Sequence, residues 1–223
     1  MNSRLAISFS VTPAQGEQLA QLQKTFAAAC NHLAPIVQQT RCWNRVALHH
    51  MVYRALRESF PALGSQMVCN AIYSVSRTCR AVYQNRQSPY ALQKLAGKPL
   101  PRLIFLPHSP VYFDRHTLSL KDGEVSMYTM DGRIKFKLDL TPAQELQFRS
   151  SKLREIVLSS HELVFTLNFS FAEQGVDDIA TKTNLAEDME LPEYVLVTED
   201  TAVPPPAATL GLRPASQSSR PTL

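Results

Sequence analysis

The spacing of apolar residues changes character twice along the chain. Between residues 12 and 86 they recur every three or four positions, between 102 and 171 they alternate in short runs, and beyond 172 the pattern lapses. The first regime predicts helices and the second predicts strands. In the stretch 65–84, SQMVCNAIYSVSRTCRAVYQ, the residues Val68, Ile72, Val75, Cys79 and Val82 form one apolar stripe. Gln66, Asn70, Tyr73, Arg77, Arg80 and Gln84 keep the same rhythm on the opposite side. Upstream, Thr12-Pro13-Ala14-Gln15 is a capping box with proline at the first helical position. Leu19, Leu22, Phe26, Ala29, Leu33 and Ile36 mark the inner stripe of the long helix that follows, which Pro35 should kink or end. A further helix is predicted over 44–59, with Leu48, Val52 and Ala55 inward and Arg45, His49, Tyr53 and Arg57 outward.

Alternation marks a strand at 4–11 and then strands at 102–106, 111–114, 117–120, 124–130, 132–138, 153–158 and 163–171. A short helix at about 142–149 is announced by a second capping signal, Thr141-Pro142-Ala143-Gln144. The opening strand is separated from the others by three helices and is too short to be stable alone, so it must join the later sheet. Closure of the short antiparallel strands into a small barrel would remove their edges. The expected fold is therefore α+β, a small antiparallel β-barrel built from 1–11 and 102–172. A three-helix bundle with a linker, 12–101, is inserted between its first and second strands. Residues 173–223 read as a disordered acidic and Pro-rich tail, in which 193–198 has the pattern of one edge strand.

Charge sharpens this picture. Residues 1–172 hold 20 Lys+Arg against 10 Asp+Glu, a balance of +10, and residues 173–223 hold 3 against 9, a balance of −6, together the +4 of the whole chain. Within 1–86 the only acids are Glu17 and Glu58. Such a body has the electrostatic footprint of a phosphate-binding surface, although a basic face that meets only solvent would look the same. The polar side of 65–84 offers amides, a phenol and two guanidiniums and carries no acid of its own, which suits base edges and phosphates and also fits a solvated helix face. Cys30, Cys42, Cys69 and Cys79 contain no C-x-x-C and lack histidines at zinc-finger spacing, so reduced thiols are expected, with no metal and no cofactor. Hydrophobic content of 44% without a long apolar run, and an N-terminus lacking the apolar core of a signal peptide, predict a cytoplasmic protein, nucleoid-associated if bacterial, with no membrane partner.

Taken in order, the strand, the TPAQ cap, the arginine-bearing helix, the 65–84 segment and then RHTLSLKDGEVSMYTMDGRIKFKLDLTPAQELQFRSSKLREIVLSSHELVFTLNF resemble the N-terminal half of the TnpB, or OrfB-type, transposon-encoded RNA-guided nucleases, relatives of type V CRISPR effectors. The similarity covers about residues 3–170 and is most specific over 117–169. It implies a wedge β-barrel with an inserted recognition bundle, which together hold a guide-type RNA and read a short motif in double-stranded DNA while base pairing reads the target. It further implies that Ser65, Gln66 and Cys69, at the start of the third helix, fall where the family reads that motif. The polar face itself adds Asn70, Tyr73, Arg77 and Arg80, with Arg45, Tyr53 and Arg57 on the neighbouring helix. In the family a RuvC nuclease domain follows, whose carboxylates hold two metal ions. Here Gly175-Val176-Asp177 and Asn184-Leu185-Ala186 echo its first motif in distorted form. One aspartate cannot build a two-metal site, so Asp177 is expected to be an ordinary tail residue, and the protein to bind rather than cut. The rival expectations are an endonuclease subunit completed by a separate RuvC polypeptide, and an inactive transposon remnant or protein-interaction module.

Overall fold

In the computed structural model, which describes residues 3–162, 164–172 and 191–199, three of the four α-helices begin where side-chain capping puts them. Thr12 Oγ1 accepts from the Gln15 N–H while the Thr12 N–H donates to Gln15 Oε1, and α1 (Pro13–Thr40) follows. Asn44 Oδ1 accepts from the Val46 and Ala47 N–H groups to start α2 (Arg45–Ser59). The third helix, α3 (Ser65–Cys79), is continued by a π-helical turn, Arg80–Gln84. Thr141 and Gln144 repeat the capping box ahead of α4 (Pro142–Ser150).

The inner stripe of α3 is buried throughout, against Leu19, Leu22, Phe26 and Leu33 of α1 and Leu48, Val52 and Leu56 of α2. A fully buried aliphatic side chain of this kind contributes about 1.5–3 kcal/mol. One expectation is corrected here, and of the two offered for Pro35 the ending of the helix is set aside. Ala55 is exposed and Leu56 takes the inward position, four residues after Val52. Pro35 does not end α1, which runs on to Thr40 and closes on Arg41 in the left-handed region at φ 52°. Pro35 is itself buried together with Leu33, Ala34 and Val37, and that burial outweighs the one helical hydrogen bond proline cannot make.

The strands are β1 (Arg4–Phe9), β2 (Arg102–Phe105), β3 (Val111–Phe113), β4 (Leu118–Lys121), β5 (Glu124–Thr129), β6 (Gly132–Lys137), β7 (Lys152–His161), β8 (Val164–Ala172) and β9 (Val195–Thr198). As expected, the opening strand joins a later sheet: β1 pairs antiparallel with β8, placing Ile7 opposite Leu167 and Phe9 opposite Phe165. The helices α1, α2 and α3 are thus inserted between β1 and the other strands. The ladder, however, does not close into a barrel. It forms a four-stranded sheet in the order β1-β8-β7-β3, a β4-β5-β6 meander and a β2-β9 pair.

Short strands explain the opening. β3 spans three residues and β2 four, too few to carry a ladder round a corner. The side chain of Asn31 also occupies one edge of β2, donating to the Phe105 carbonyl at 2.8 Å and accepting from its N–H at 2.7 Å. The separate sheets meet through side chains: Phe9 of β1 stacks on Phe136 of β6 with ring centroids 4.3 Å apart. In the hairpin between β4 and β5, Asp122 and Gly123 both take positive φ, 51° and 77°, as the Asp-Gly pair predicts.

The linker expected over 87–101 is a run of turns held onto the end of α3, with Ala91 and Leu100 buried, the Leu92 N–H donating to Tyr83 O, and Tyr83 Oη donating to Pro101 O at 2.7 Å. Within the expected tail, β9 pairs with β2 and belongs to the fold. Residues 173–190 and 200–223 of the tail, Asp177 included, lie outside the described residues. Among the described residues no helix is long and apolar enough to cross a membrane.

Candidate nucleic-acid interface

The polar side of α3 divides into residues committed to the fold and residues that face outward. Asn70 belongs to the first group. It is 6% exposed, and its Nδ2 donates to the Tyr112 carbonyl at 2.9 Å, joining α3 to β3. That corrects its expected role at a base edge, because its amide donor is already spent inside the protein. Arg57 is likewise committed, its Nη1 donating to the Leu63 carbonyl across the turn between α2 and α3. Tyr53 is half-buried and stacks on His49 at 4.7 Å along α2.

Four other residues come together. Tyr73 Oη donates to Glu155 Oε1 at 2.8 Å, and Arg77 Nη1 donates to the same oxygen at 3.0 Å and to Tyr73 Oη at 3.3 Å. The guanidinium of Arg45 lies over the Tyr73 ring, 5.1 Å from its centroid, and that of Arg77 lies 5.9 Å from the Tyr112 centroid. Arg80 is exposed, with Nη2 3.5 Å from Ser76 Oγ, which in turn donates to the Trp43 carbonyl at 2.6 Å. Arg45, Tyr73, Arg77 and Arg80 therefore form one patch around the connection between α1 and α2.

The face carries no acid of its own, as the sequence shows, but an acid from another element neutralises one of its arginines. Glu155 comes from β7, where a bulge between Leu153 and Glu155 shifts the register. Side-chain exposures of 23% for Arg77 and 17% for Glu155 mark a half-buried ion pair. Burial works against the Arg77 charge, but Tyr112, Glu155 and Tyr73 outweigh it and raise the pKa above the ordinary arginine value. Burial, reinforced by the Glu155 charge, pushes the Tyr73 phenol up, so it stays protonated and remains a donor.

Ser65, Gln66 and Cys69 lie at the open end of α3, where Ser65 is exposed and the other two are half-buried. Gly64 occupies the N-cap position, so α3 begins without a side-chain cap, and the Gly64 N–H donates instead to Tyr128 Oη at 2.9 Å. Burial raises the Cys69 thiol pKa, with Arg45 opposing the shift and Asp114 adding to it.

Gln66 also reaches a cleft of about 970 Å³ that the sequence did not reveal. It lies between the β3–β4 turn, the β4–β5 hairpin, α4 and the start of β7. Phe113, Phe148 and Ile156 line it together with Arg115, Lys121 and Arg149. These cations come from three separate segments, so neither a basic run nor a helical period connects them; Lys121 beside the Asp-Gly turn was the one legible hint. Among the described residues no group of three His, Cys, Asp or Glu side chains is placed to hold a metal ion. Compared with protein-family models and with curated protein sequences, the chain matches none.

Proposed function

We propose that the protein binds nucleic acid through the α2–α3 face, as the wedge-plus-recognition portion of a TnpB-like RNA-guided system. In this reading it holds a guide-type RNA and meets double-stranded DNA at the open end of α3. One observation carries the reading: Arg45 rests on the Tyr73 ring, Arg77 donates to the Tyr73 hydroxyl and Arg80 stands exposed three residues further along, and among the described residues only Arg77 of the three is answered by a carboxylate. A guanidinium resting on a ring keeps its N–H fork available for a phosphate, and the ring gives a base or sugar an apolar surface. The surrounding body, residues 1–172, carries 20 cationic against 10 anionic side chains, which supplies the long-range attraction.

Roles follow from placement. Arg45 and Arg80 contact phosphates. Ser65, Gln66 and Cys69 offer small polar groups at a helix N-terminus, where base edges are read. Asn70, Arg57 and the Arg77–Glu155 pair hold that surface in shape. No catalytic residue is assigned.

The test is the double variant Arg45→Ala, Arg80→Ala, which removes two exposed cations and should leave the melting temperature nearly unchanged. Affinity for a labelled DNA duplex, measured by fluorescence anisotropy, should fall at every sequence. The slope of log K against log salt should shrink by roughly 0.9 per lost contact. Wild-type affinity with a wild-type salt slope would overturn this assignment.

A further inference from the structure

The cleft beside α4 takes no part in the patch around Tyr73, and its chemistry differs. Its floor is apolar and partly aromatic: Phe113 and Ile156 are buried, and the half-buried ring of Phe148 packs edge-on against Phe169 and Phe171 at 4.9 and 5.2 Å. Its rim is cationic, with Arg115, Lys121 and Arg149 all exposed. Three carboxylates also line it, and two of them are engaged. Asp114 Oδ1 accepts from the N–H groups of His116 and Thr117 and from the Thr117 hydroxyl at 2.8 Å, so its charge is turned into its own turn. Glu145 faces Arg149 at 4.0 Å along the exposed surface of α4, a separation and exposure at which the pair yields readily to a phosphate. Asp122 sits at the hairpin tip.

An apolar floor under a cationic rim is the arrangement that takes unpaired bases below and a phosphate backbone above. Duplex DNA, with its bases stacked inside, has no use for such a floor. At about 970 Å³ the cleft stands at the upper end of the roughly 300–1,000 Å³ range of small-ligand pockets, so it has room for more than one base. Gln66, at the uncapped start of α3, adds an amide and opens the cleft toward the α2–α3 face.

We infer that this cleft binds a single-stranded nucleic-acid segment, with its bases against Phe148 and its phosphates on Arg115, Lys121 and Arg149. The inference rests on the nucleic-acid reading above and assigns the unpaired strand to a cleft that adjoins the duplex-facing helices at Gln66.

The probes are fluorescein-labelled decauridylate and a labelled DNA duplex, with anisotropy measured on the full chain. Arg115→Ala, Lys121→Ala, Arg149→Ala combined should weaken decauridylate binding at least tenfold at low salt and lower its salt slope by roughly 0.7 per contact, leaving duplex affinity within about twofold. Phe148→Leu keeps the packing apolar and should also weaken decauridylate binding, with an unchanged salt slope; its melting curve separates this effect from misfolding. As an independent readout, decauridylate carrying 4-thiouridine should photo-crosslink to peptides containing Phe148 or residues 115–121.

If the triple variant binds decauridylate like the wild type, or the crosslinks fall on α2 and α3, the cleft proposal fails. The helical-face reading then survives provided that Arg45→Ala, Arg80→Ala still weakens the duplex. Absence of binding by the wild type to either nucleic acid overturns both. A cleft that takes an acidic, aromatic peptide and rejects decauridylate overturns the assignment of ligand class.

Discussion

Replacing Arg77 by alanine tests whether the centre of the proposed interface is a free surface or part of the scaffold. The side chain ends on a carboxylate oxygen at 3.0 Å and a phenol at 3.3 Å, and the pair is 23% and 17% exposed. A hydrogen bond to a charged group is worth about 1.5–3 kcal/mol, and removing one member of a fully buried ion pair costs about 3–5. Partial exposure and the surviving bond from Tyr73 to Glu155 place the expected loss near the lower figure, about 2 kcal/mol. For a chain of this size each kcal/mol moves Tm by roughly 2–4 °C, so Arg77→Ala should melt about 4–8 °C below the wild type by circular dichroism. Arg80→Ala removes an exposed guanidinium and should stay within about 0.5 kcal/mol. In a double-mutant cycle with Glu155→Ala, the two losses should fall short of additive by about 1 kcal/mol or more, since each single variant strands the other's partner. If Arg77→Ala melts with Arg80→Ala, or the cycle is additive, the pair is a solvated contact and the scaffold role is wrong. Arg77 would then return to the phosphate-binding set.

Groups that the fold has consumed give three further predictions. Asn70→Ala leaves the Tyr112 carbonyl without its buried donor and should cost about 1–3 kcal/mol in urea unfolding, with the nucleic-acid affinity of the folded fraction unchanged. Burial pushes the Cys30 thiol up to about 12, and burial, with Cys30 adding to it, raises that of Cys79 as well. Both should resist alkylation at mildly alkaline pH until the chain unfolds. Because the unfolded thiols ionise above about pH 8.5 while the folded ones keep their protons, the folded state binds more protons in that window. Stability should therefore fall as pH rises, by up to about 1.4 kcal/mol per unit for each thiol, measured by urea midpoints between about pH 8.5 and 11.

Much of the fold was legible because its determinants are local. Threonine, proline and glutamine at 12–15 and 141–144 form the same reciprocal cap in both places, and the Asp-Gly pair at 122–123 bends the hairpin as its backbone freedom allows. That β1 joins a later sheet followed from a negative argument, that a lone strand has nowhere else to go, although the argument did not single out β8 as its partner. That the strands stay in separate open sheets was not legible, since alternation reports which residues are buried and carries no information on which edges meet. The edge of β2 illustrates the point. A helical side chain, Asn31, supplies hydrogen bonds that a strand was expected to give, and no period of either element encodes that contact.

The candidate site shows the same limit more sharply. Periodicity assigned Gln66, Asn70, Tyr73, Arg77 and Arg80 to one side of α3, but one side of a helix meets both solvent and neighbouring elements. Asn70 and Arg77 point to where β3 and β7 pack, so their polar groups are satisfied by a backbone carbonyl and a carboxylate that lie 42 and 78 positions further along the chain. Arg45 and Arg80 lie to the outside and are exposed. A polar stripe on a helix wedged between a bundle and a sheet should thus be read in two halves. The half turned to the sheet joins the two parts of the fold, and only the other half is available to a ligand. It follows that a substitution on the inner half lowers binding through folding, whereas one on the outer half lowers it through lost charge, and salt dependence distinguishes them because only the second changes the number of counterions released.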